Sequence, residues 1–218
     1  MNSFIKTKNG LSKLYDYLLN LKYDHQFSLK TNSSVQLINM DVKSKSIIHA
    51  RHYQATHYRL FFKIMNQLSL PWNKFNFIDF GSGKGRCLLM AGMLGFKEVF
   101  GIEFAKDLCE CAKSNRESFQ KSFPQIHLPP IKIINEDALN FFPKTKNNVF
   151  FFYNPFDGVI LEEVLQNCSR YSPPGSRDYY IYINPLRDYL FGPLGLKEIM
   201  KLESSNHNKK VKIFTNSS

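Results

Sequence analysis

Within residues 1–70, apolar side chains recur at helical spacing in two places. The first pattern is formed by Leu11, Leu14, Tyr15, Leu18 and Leu19. The second pattern runs from about Ala55 to Leu68, and Pro71 should end it. Both patterns predict amphipathic helices that lie on the main body of the protein.

From residue 71 onward, short apolar runs alternate with helical patterns. Five runs have the length and the flanking turn residues of buried strands: FNFIDF, EVFGIEF, PIKIINED, NVFFFYNPF and YYIYINP. Helical patterns lie between them in GRCLLMAGMLG, AKDLCECAKSNRESFQKSF and GVILEEVLQNCSRY. The final segment, GLKEIMKLESSNHNKKVKIFTN, places two strand-like runs around a polar turn, which is typical of an antiparallel hairpin.

This alternation predicts the fold class. Strands that alternate with helices favour βαβ units on a sheet covered on both faces. We therefore predict a three-layer α/β/α sandwich with a mostly parallel seven-stranded sheet, an antiparallel C-terminal strand and an N-terminal helical appendage. The predicted division is a helical segment, or lid, over residues 1–70 and one α/β domain over residues 71–218, because 218 residues suffice for one sizeable core.

Composition narrows the classes of partner. Lys and Arg number 29 against 18 Asp and Glu, and the net charge of +11 favours polyanions, although no long basic run marks a nucleic-acid footprint. No apolar stretch reaches the length of a membrane span and no secretory signal is evident, so we expect a cytoplasmic protein without a membrane. The four cysteines show no CxxC pair, and no metal is expected.

The stretch FIDFGSGKGR carries the most specific chemistry. Gly81, Gly83 and Gly85 follow the first predicted strand, where a ligand must approach the backbone closely. A phosphate-binding P-loop needs GxxxxGK[ST], but Lys84 is followed by Gly85. A dinucleotide fingerprint needs GxGxxG, but Arg86 occupies the third glycine position, which disfavours NAD.

The sequence DFGSGKG resembles the first motif of class I S-adenosylmethionine-dependent methyltransferases. This resemblance implies that Asp79 organises the loop and helps to hold the methionine amino group, while Gly81 and Gly83 bring the backbone close to the cofactor. It also implies that Glu103, which ends the second strand, takes the ribose hydroxyls, and that Asp137 after the third strand meets the adenine amino group. Residues 71–218 would then form the cofactor-binding methyltransferase domain, with Ser82 and Gly85 in the same loop.

The assignment at the third strand has alternatives. Glu136 is adjacent and fits the same role. Asp137 is also well placed to cap a short helix that begins at Ala138.

The motif FFFYNPF resembles the fourth motif of this class, beside the transferable methyl group. Asn154, Pro155 and Phe156 are similar to the Asn-Pro-Pro-aromatic motif of enzymes that methylate planar amino groups, but one proline is missing. We predict that these three residues and Tyr153 form the catalytic site. A tight turn with Phe156 in the core is the structural alternative.

A second resemblance is to non-SET protein-lysine methyltransferases, whose first motif shares Ser82 and the apolar helix behind it with DFGSGKGRCLLMA. This resemblance implies an aromatic channel around a lysine amine. Five side chains are candidates for such a channel, although strand aromatics are more often part of the core. They are Phe151, Tyr153, Phe156, Tyr180 and Tyr182.

Residues ahead of the first strand are expected to form a lid. Tyr53, Thr56 and Tyr58 are predicted to lie near the methionine or the substrate. Either His52 or His57 is a candidate general base, since an unperturbed imidazole titrates near neutral pH, although an ordinary helix-start role fits each histidine as well.

The predicted function is S-adenosylmethionine-dependent methyl transfer to an amine, with protein lysine favoured and a nucleic-acid base as the alternative. Two other classes stay open at this point: an NAD-linked oxidoreductase and a non-catalytic scaffold that binds protein or RNA. The intact acid-glycine loop and Glu103 argue against a scaffold, because pure binding requires neither.

Overall fold

The computed structural model describes residues 15, 17–32, 55–204 and 209–217. Helix α1 covers residues 17–26 and contains Leu18 and Leu19, whereas Leu11 and Leu14 of the predicted pattern lie outside the described residues. Helix α2, Tyr58–Leu68, confirms the second helical pattern. It ends where Ser69 adopts a left-handed conformation with φ of 45°.

Seven strands form one sheet in the order β3-β2-β1-β4-β5-β7-β6. Strands β1 to β5 pair in parallel, and β7 runs antiparallel to both β5 and β6, so β6 points the same way as the first five. The predicted sheet, including its antiparallel C-terminal strand, is confirmed. The strands are β1 Asn76–Phe80, β2 Glu98–Glu103, β3 Ile131–Asn135, β4 Asn148–Phe152, β5 Tyr179–Ile183, β6 Lys197–Ser204 and β7 Lys209–Thr215.

Three further helices connect the parallel strands. They are α3 Arg86–Met93, α4 Lys106–Ser122 and α5 Gly158–Tyr171. Helix α5 begins sharply because the Asp157 side chain accepts hydrogen bonds from the backbone N–H groups of Val159 and Ile160, at 3.1 and 3.2 Å.

Two apolar cores cover the two faces of the sheet. One core joins the sheet to α2, α3 and α4, and the other joins it to α5 and the segment before β6. Along β4 the side chains alternate between them, with Phe151 in the first core and Phe150 and Phe152 in the second. Helix α2 shares the first core with the sheet, and the predicted division at residue 70 stays a prediction.

The order of strands reverses between β1 and β4. Strands β2 and β3 lie on one side of β1, and β4 and β5 lie on the other. In open α/β sheets such a reversal leaves a crevice beyond the carboxyl ends of the central strands, where ligands bind. The predicted motifs of β1, β2 and β4 all end at this crevice.

Candidate functional site

A glycine loop connects β1 to α3. Gly81, Gly83 and Gly85 have φ values of 76°, 53° and 80°, which glycine reaches without the steric cost of a Cβ atom. A Cβ atom on Gly81 would stand 3.0 Å from the Cβ of Pro155. The Gly81 N–H also donates to the Ile102 carbonyl at 2.9 Å. The loop is therefore held between the ends of β2 and β4.

Glu103 ends β2 and is tied directly to this loop. Its Oε2 accepts a hydrogen bond from the Gly83 N–H at 2.9 Å, and its Oε1 accepts one from the Ala105 N–H at 3.0 Å. The side chain is only 4% exposed, and this burial raises the pKa of Glu103. Hydrogen bonds from the backbone N–H groups of Ala105, Gly83 and Phe104 favour the ionised carboxylate and so oppose that rise.

Asp79 lies beside Glu103, but its carboxyl group has a different environment. It is 4% exposed, and no hydrogen bond to its carboxyl group is formed within the described part of the chain. Burial, reinforced by the Glu103 carboxylate, raises the pKa of Asp79 to about 8. At neutral pH Asp79 therefore carries a proton.

Two small cavities meet at Gly81. The first, the Asp79 cavity, has Thr56, Asp79, Ser82 and Tyr153 among its lining residues. The second, the Asp137 cavity, adjoins the opposite side of the glycine loop. Its walls are Gly81, Ile102, Phe104, Glu136, Asp137, Ala138 and Phe156.

Two buried hydroxyl groups in this region lack a hydrogen-bond partner among the described residues: Ser82 Oγ and Tyr153 OH. Both residues line the Asp79 cavity together with the protonated Asp79. Buried polar atoms without partners carry a free-energy cost unless a ligand or water satisfies them. The Asp79 cavity thus suits a polar group that satisfies these hydroxyls, and a cation placed there would favour the ionised form of Asp79. The more apolar Asp137 cavity suits a flat nucleoside.

Asp137 and Glu136 have separate partners. Asp137 Oδ1 accepts a hydrogen bond from the Leu139 N–H at 3.0 Å, so it caps the short 3-10 helix that begins at Ala138. Glu136 Oε1 accepts from the Asp137 N–H at 3.0 Å and from Asn140 at 2.9 Å. Both residues line the Asp137 cavity, so the assignment of the adenine contact between them stays a prediction.

The predicted catalytic motif follows β4. Asn154 has a positive φ of 43°, is 3% exposed, and accepts a hydrogen bond from the Tyr182 hydroxyl at 3.1 Å. Tyr153 faces the Asp79 cavity, whereas Phe156 is 6% exposed and faces the Asp137 cavity. The motif therefore straddles Gly81, and Phe156 lies in the core on the α5 side.

The five aromatic residues proposed for a lysine channel do not come together. Phe151 and Tyr153 pack with the core on the α2 side, while Phe156, Tyr180 and Tyr182 belong to the core on the α5 side. The expectation of one channel from all five was wrong, because side chains in a strand alternate between faces. Tyr153 alone combines a cavity position with a hydroxyl that lacks a described partner.

The expected lid is described from Ala55 onward. Thr56 is 4% exposed and lines the Asp79 cavity, and its predicted place beside the methionine or the substrate stays a prediction. Tyr58 does not line that cavity, because its hydroxyl donates to Asp24 at 2.9 Å. Tyr53 and His52 lie outside the described residues. The His57 imidazole contacts the Asn20 amide of α1 through Nδ1, which favours the helix-start role considered for it.

Two residues of the site were missed by the sequence reasoning. Arg86 was noted only as a departure from a dinucleotide fingerprint, yet it is 2% exposed and lines the Asp79 cavity. Gly101 in β2 lets Ser82 lie against the sheet, because a Cβ there would stand 2.7 Å from Ser82 Oγ and 2.5 Å from Leu88 Cδ1. A lone glycine inside a strand is a known signal of such close approach.

None of the helices in the described residue ranges is long and apolar enough to cross a membrane. In the same ranges, three or more His, Cys, Asp or Glu side chains are nowhere grouped so as to hold a metal ion. The four cysteines are free thiols.

The chain matches the family described as Histone methylation protein DOT1 over residues 31–140, which is half of the chain. A related protein is the "Histone-lysine N-methyltransferase, H3 lysine-79 specific" of Dictyostelium discoideum. It is 34% identical over 109 residues, which is 46% of this chain and 6% of the relative. The chain thus corresponds to a small part of that much longer protein.

Solved structures share the fold. Magnesium protoporphyrin IX methyltransferase from Synechocystis, with bound S-adenosylmethionine, has a TM-score of 0.56 and 12% identity over 73% of this chain and 79% of its own. An RNA methyltransferase from Salinibacter ruber, in complex with S-adenosylhomocysteine, has a TM-score of 0.53 and 14% identity over 76% of this chain and 95% of its own. These matches confirm the predicted class I methyltransferase fold.

Proposed function

This chain belongs to the DOT1 family of histone methylation proteins, and from that membership we propose that it transfers methyl groups from S-adenosylmethionine to lysine side chains of a protein. One observation in the structure carries the proposal. The acid-glycine loop is complete, with Glu103 bound to the Gly83 amide and Asp79 buried beside it. A non-catalytic scaffold would not need a buried carboxyl group that lacks a described hydrogen bond.

The residues of the two cavities fit this cofactor. Asp79 and Ser82 are available for the ammonium and polar atoms of the methionine part, because each lacks a hydrogen-bond partner among the described residues. Each Glu103 oxygen already accepts one amide hydrogen bond and has a second acceptor position for a ribose hydroxyl. Phe156 and either Glu136 or Asp137 would border the adenine. S-adenosylmethionine supplies the methyl group on a sulfonium, which leaves as the neutral thioether.

The acceptor amine must reach the Asp79 cavity in its neutral form. A lysine ammonium has no lone pair with which to attack a methyl carbon, so its proton must leave before the transfer. Tyr153 is the described residue best placed to receive this amine. Burial raises the pKa of Tyr153 to about 12, so its hydroxyl stays protonated and orients the amine rather than removing its proton.

Methylation of a nucleic-acid base is the alternative acceptor class. That chemistry requires an aromatic ring free to stack on the base and an Asn side chain free to accept from its amino group. Phe156 is buried in the α5-side core and faces the Asp137 cavity, which the cofactor adenine would occupy, so its ring is not free for a second base. The Asn154 oxygen accepts from Tyr182 and keeps one acceptor position, so it does not discriminate between the acceptors. The position of Phe156 favours lysine. The cytoplasmic location stays a prediction. A histone acceptor would instead imply action in the nucleus, and cell fractionation distinguishes the two locations.

Two successive measurements test the proposal. Calorimetric titration with S-adenosylhomocysteine should give saturable binding that Glu103→Ala abolishes. Radiolabelled S-adenosylmethionine should then label lysine in histones, offered free and as nucleosomes, in preference to RNA or DNA. The +11 charge predicts that nucleosomal DNA will assist docking and that added salt will weaken it. Label found only in nucleic acid would refute the lysine assignment.

A further inference from the structure

A buried hydrogen-bond network centred on Arg86 joins the N-terminal segment to the glycine loop. Arg86 Nη2 donates to Asp24 Oδ1 at 3.1 Å, its Nε donates to Thr31 Oγ1 at 2.6 Å, and its Nη1 donates to the Thr56 carbonyl at 3.1 Å. Its guanidinium carbon lies 4.7 Å from the centre of the Tyr58 ring. The four polar residues of this network, Asp24, Thr31, Tyr58 and Arg86, are all at most 5% exposed.

Asp24 is the anionic centre of the same network. Its Oδ1 accepts from Thr31 Oγ1 at 2.7 Å and from the Tyr58 hydroxyl at 2.9 Å, in addition to Arg86. Its Oδ2 accepts from the Thr31 N–H at 2.9 Å. Asp24 belongs to α1 and does not line the Asp79 cavity, so any effect it has on a ligand must pass through its partners.

The position of Arg86 is unfavourable for a cation taken alone. It is the first residue of α3, where the helix dipole favours negative charge, and no acidic residue lies in the first turn of that helix. Its burial adds a desolvation cost that only good partners offset. Helix stability alone does not account for an arginine here, whereas a role in holding the N-terminal segment does.

The held segment forms a wall of the Asp79 cavity. Thr56 accepts from Arg86 through its carbonyl oxygen, and Ala55, Thr56 and Arg86 all line that cavity. Asp79, Ser82 and Tyr153 lie on its other walls. The distance between the two sets of walls therefore depends on the bonds made by the guanidinium group.

We propose that Arg86, held by Asp24, is a positioning residue that fixes the wall formed by residues 55 and 56 over the methionine end of the cofactor. This inference rests on the proposed function, because it assumes that the Asp79 cavity receives the amino-acid part of S-adenosylmethionine. It makes helix α1, through Asp24, part of the support of the cofactor site. The Asp137 cavity, which would take the adenosine part, is not lined by any member of the network.

Two ligands distinguish the contributions of the two cavities to binding in one experiment. S-adenosylhomocysteine contains both the adenosine and the amino-acid parts, whereas methylthioadenosine lacks the amino-acid part. Arg86→Lys keeps the positive charge but loses the planar fork that serves three acceptors at once. We expect it to weaken S-adenosylhomocysteine binding about tenfold or more and to leave methylthioadenosine binding within about twofold of the parent, as loss of charge-assisted hydrogen bonds predicts.

Two further variants act on the network without touching the cavity. Asp24→Asn removes the charge partner of Arg86, and Tyr58→Phe removes one hydrogen bond to Asp24 while keeping the ring. Both should shift the same ligand selectivity in the same direction, Tyr58→Phe by less. Because Arg86 and Asp24 act through one contact, their double variant should lose less than the sum of the two single losses.

The matched control is Arg116→Lys. Arg116 also donates from Nη1 to a backbone carbonyl, that of Ile131 at 3.0 Å, but on α4 and outside both cavities. It should leave both affinities unchanged. Thermal unfolding of every variant is measured alongside, so that a loss of fold is recognised as a loss of both ligands together with a lower melting temperature.

The outcomes are distinguishable. A parent chain that binds neither ligand overturns the proposed function. A parent that binds both, with network variants that lower the melting temperature but keep the parent's ratio of the two affinities, overturns the positioning role and leaves only a structural ion pair. A selective loss of S-adenosylhomocysteine binding in Tyr58→Phe supports the inference even if Arg86→Lys does not fold.

Discussion

Binding of the cofactor product at mildly acidic pH should release a proton from Asp79. Burial and the Glu103 carboxylate raise the pKa of Asp79 to about 8 in the free protein. At pH 6.5 this carboxyl group is therefore almost fully protonated. An ammonium group placed beside it stabilises the carboxylate, so the bound complex should hold Asp79 ionised.

The magnitude follows from the two titrating groups. At pH 6.5 Asp79 gives up nearly a full proton, and the ligand amino group, which stands beside its own carboxylate and titrates well above this pH, is already charged, so net release is about 0.9 proton. As the pH rises past 8, Asp79 is already ionised in the free protein, and the release should fall towards zero. Between about pH 5 and pH 7 the affinity should rise about tenfold per pH unit, because binding releases a proton.

Calorimetry in buffers of different ionisation enthalpy measures this exchange. The observed heat at pH 6.5 is plotted against the ionisation enthalpy of phosphate, imidazole and other buffers, and the slope gives the number of protons released. Asp79→Asn has no proton to release, and methylthioadenosine has no ammonium to pair, so both should give slopes near zero. A slope near zero for the parent with S-adenosylhomocysteine, or the parent's slope in Asp79→Asn, would refute the assignment of the ammonium to Asp79.

The other predictions concern single residues. Glu103→Ala should abolish S-adenosylhomocysteine binding, because it removes the ribose acceptor and the anchor of the Gly83 amide; circular dichroism should show the parent's secondary structure. Gly81→Ala should weaken the same binding, since φ is 76° and the new methyl would meet Pro155 at 3.0 Å; a parent-like affinity would refute the close approach. Asn154→Ala should spare binding, measured by calorimetry, and reduce the rate of methyl transfer. Phe77→Ala should lower the free energy of unfolding by about 3–5 kcal/mol in urea titration, because the ring is fully buried between the sheet and α2.

Local sequence pattern was sufficient for the secondary structure of the α/β domain. The five predicted parallel strands, the C-terminal hairpin and the helices between them all occur, because periods of two and of 3.6 residues are properties of neighbouring positions. The glycine loop could also be predicted from the sequence, because only glycine readily adopts positive φ at three alternate positions. The motif order along the chain then placed Asp79, Glu103 and Asn154 near the crevice.

Contacts between distant segments decided the rest. Strand aromatics look alike in sequence, and only the register of β4 and β5 sends Phe151 to one face and Tyr182 to the other. The high pKa of Asp79 depends on burial beneath the loop, which no local pattern reports.

The role of Arg86 is the clearest case of what the tertiary structure alone decided. In sequence it is one basic residue after a glycine, and its partners Asp24 and Thr56 are 62 and 30 positions away. The chain itself determined that a helix would begin at Arg86, because the glycine loop ends there. Only the packing of α1 against that helix brought a carboxylate to its guanidinium, because the pairing of two distant charges follows from the shape of the whole core and not from the neighbours of either residue.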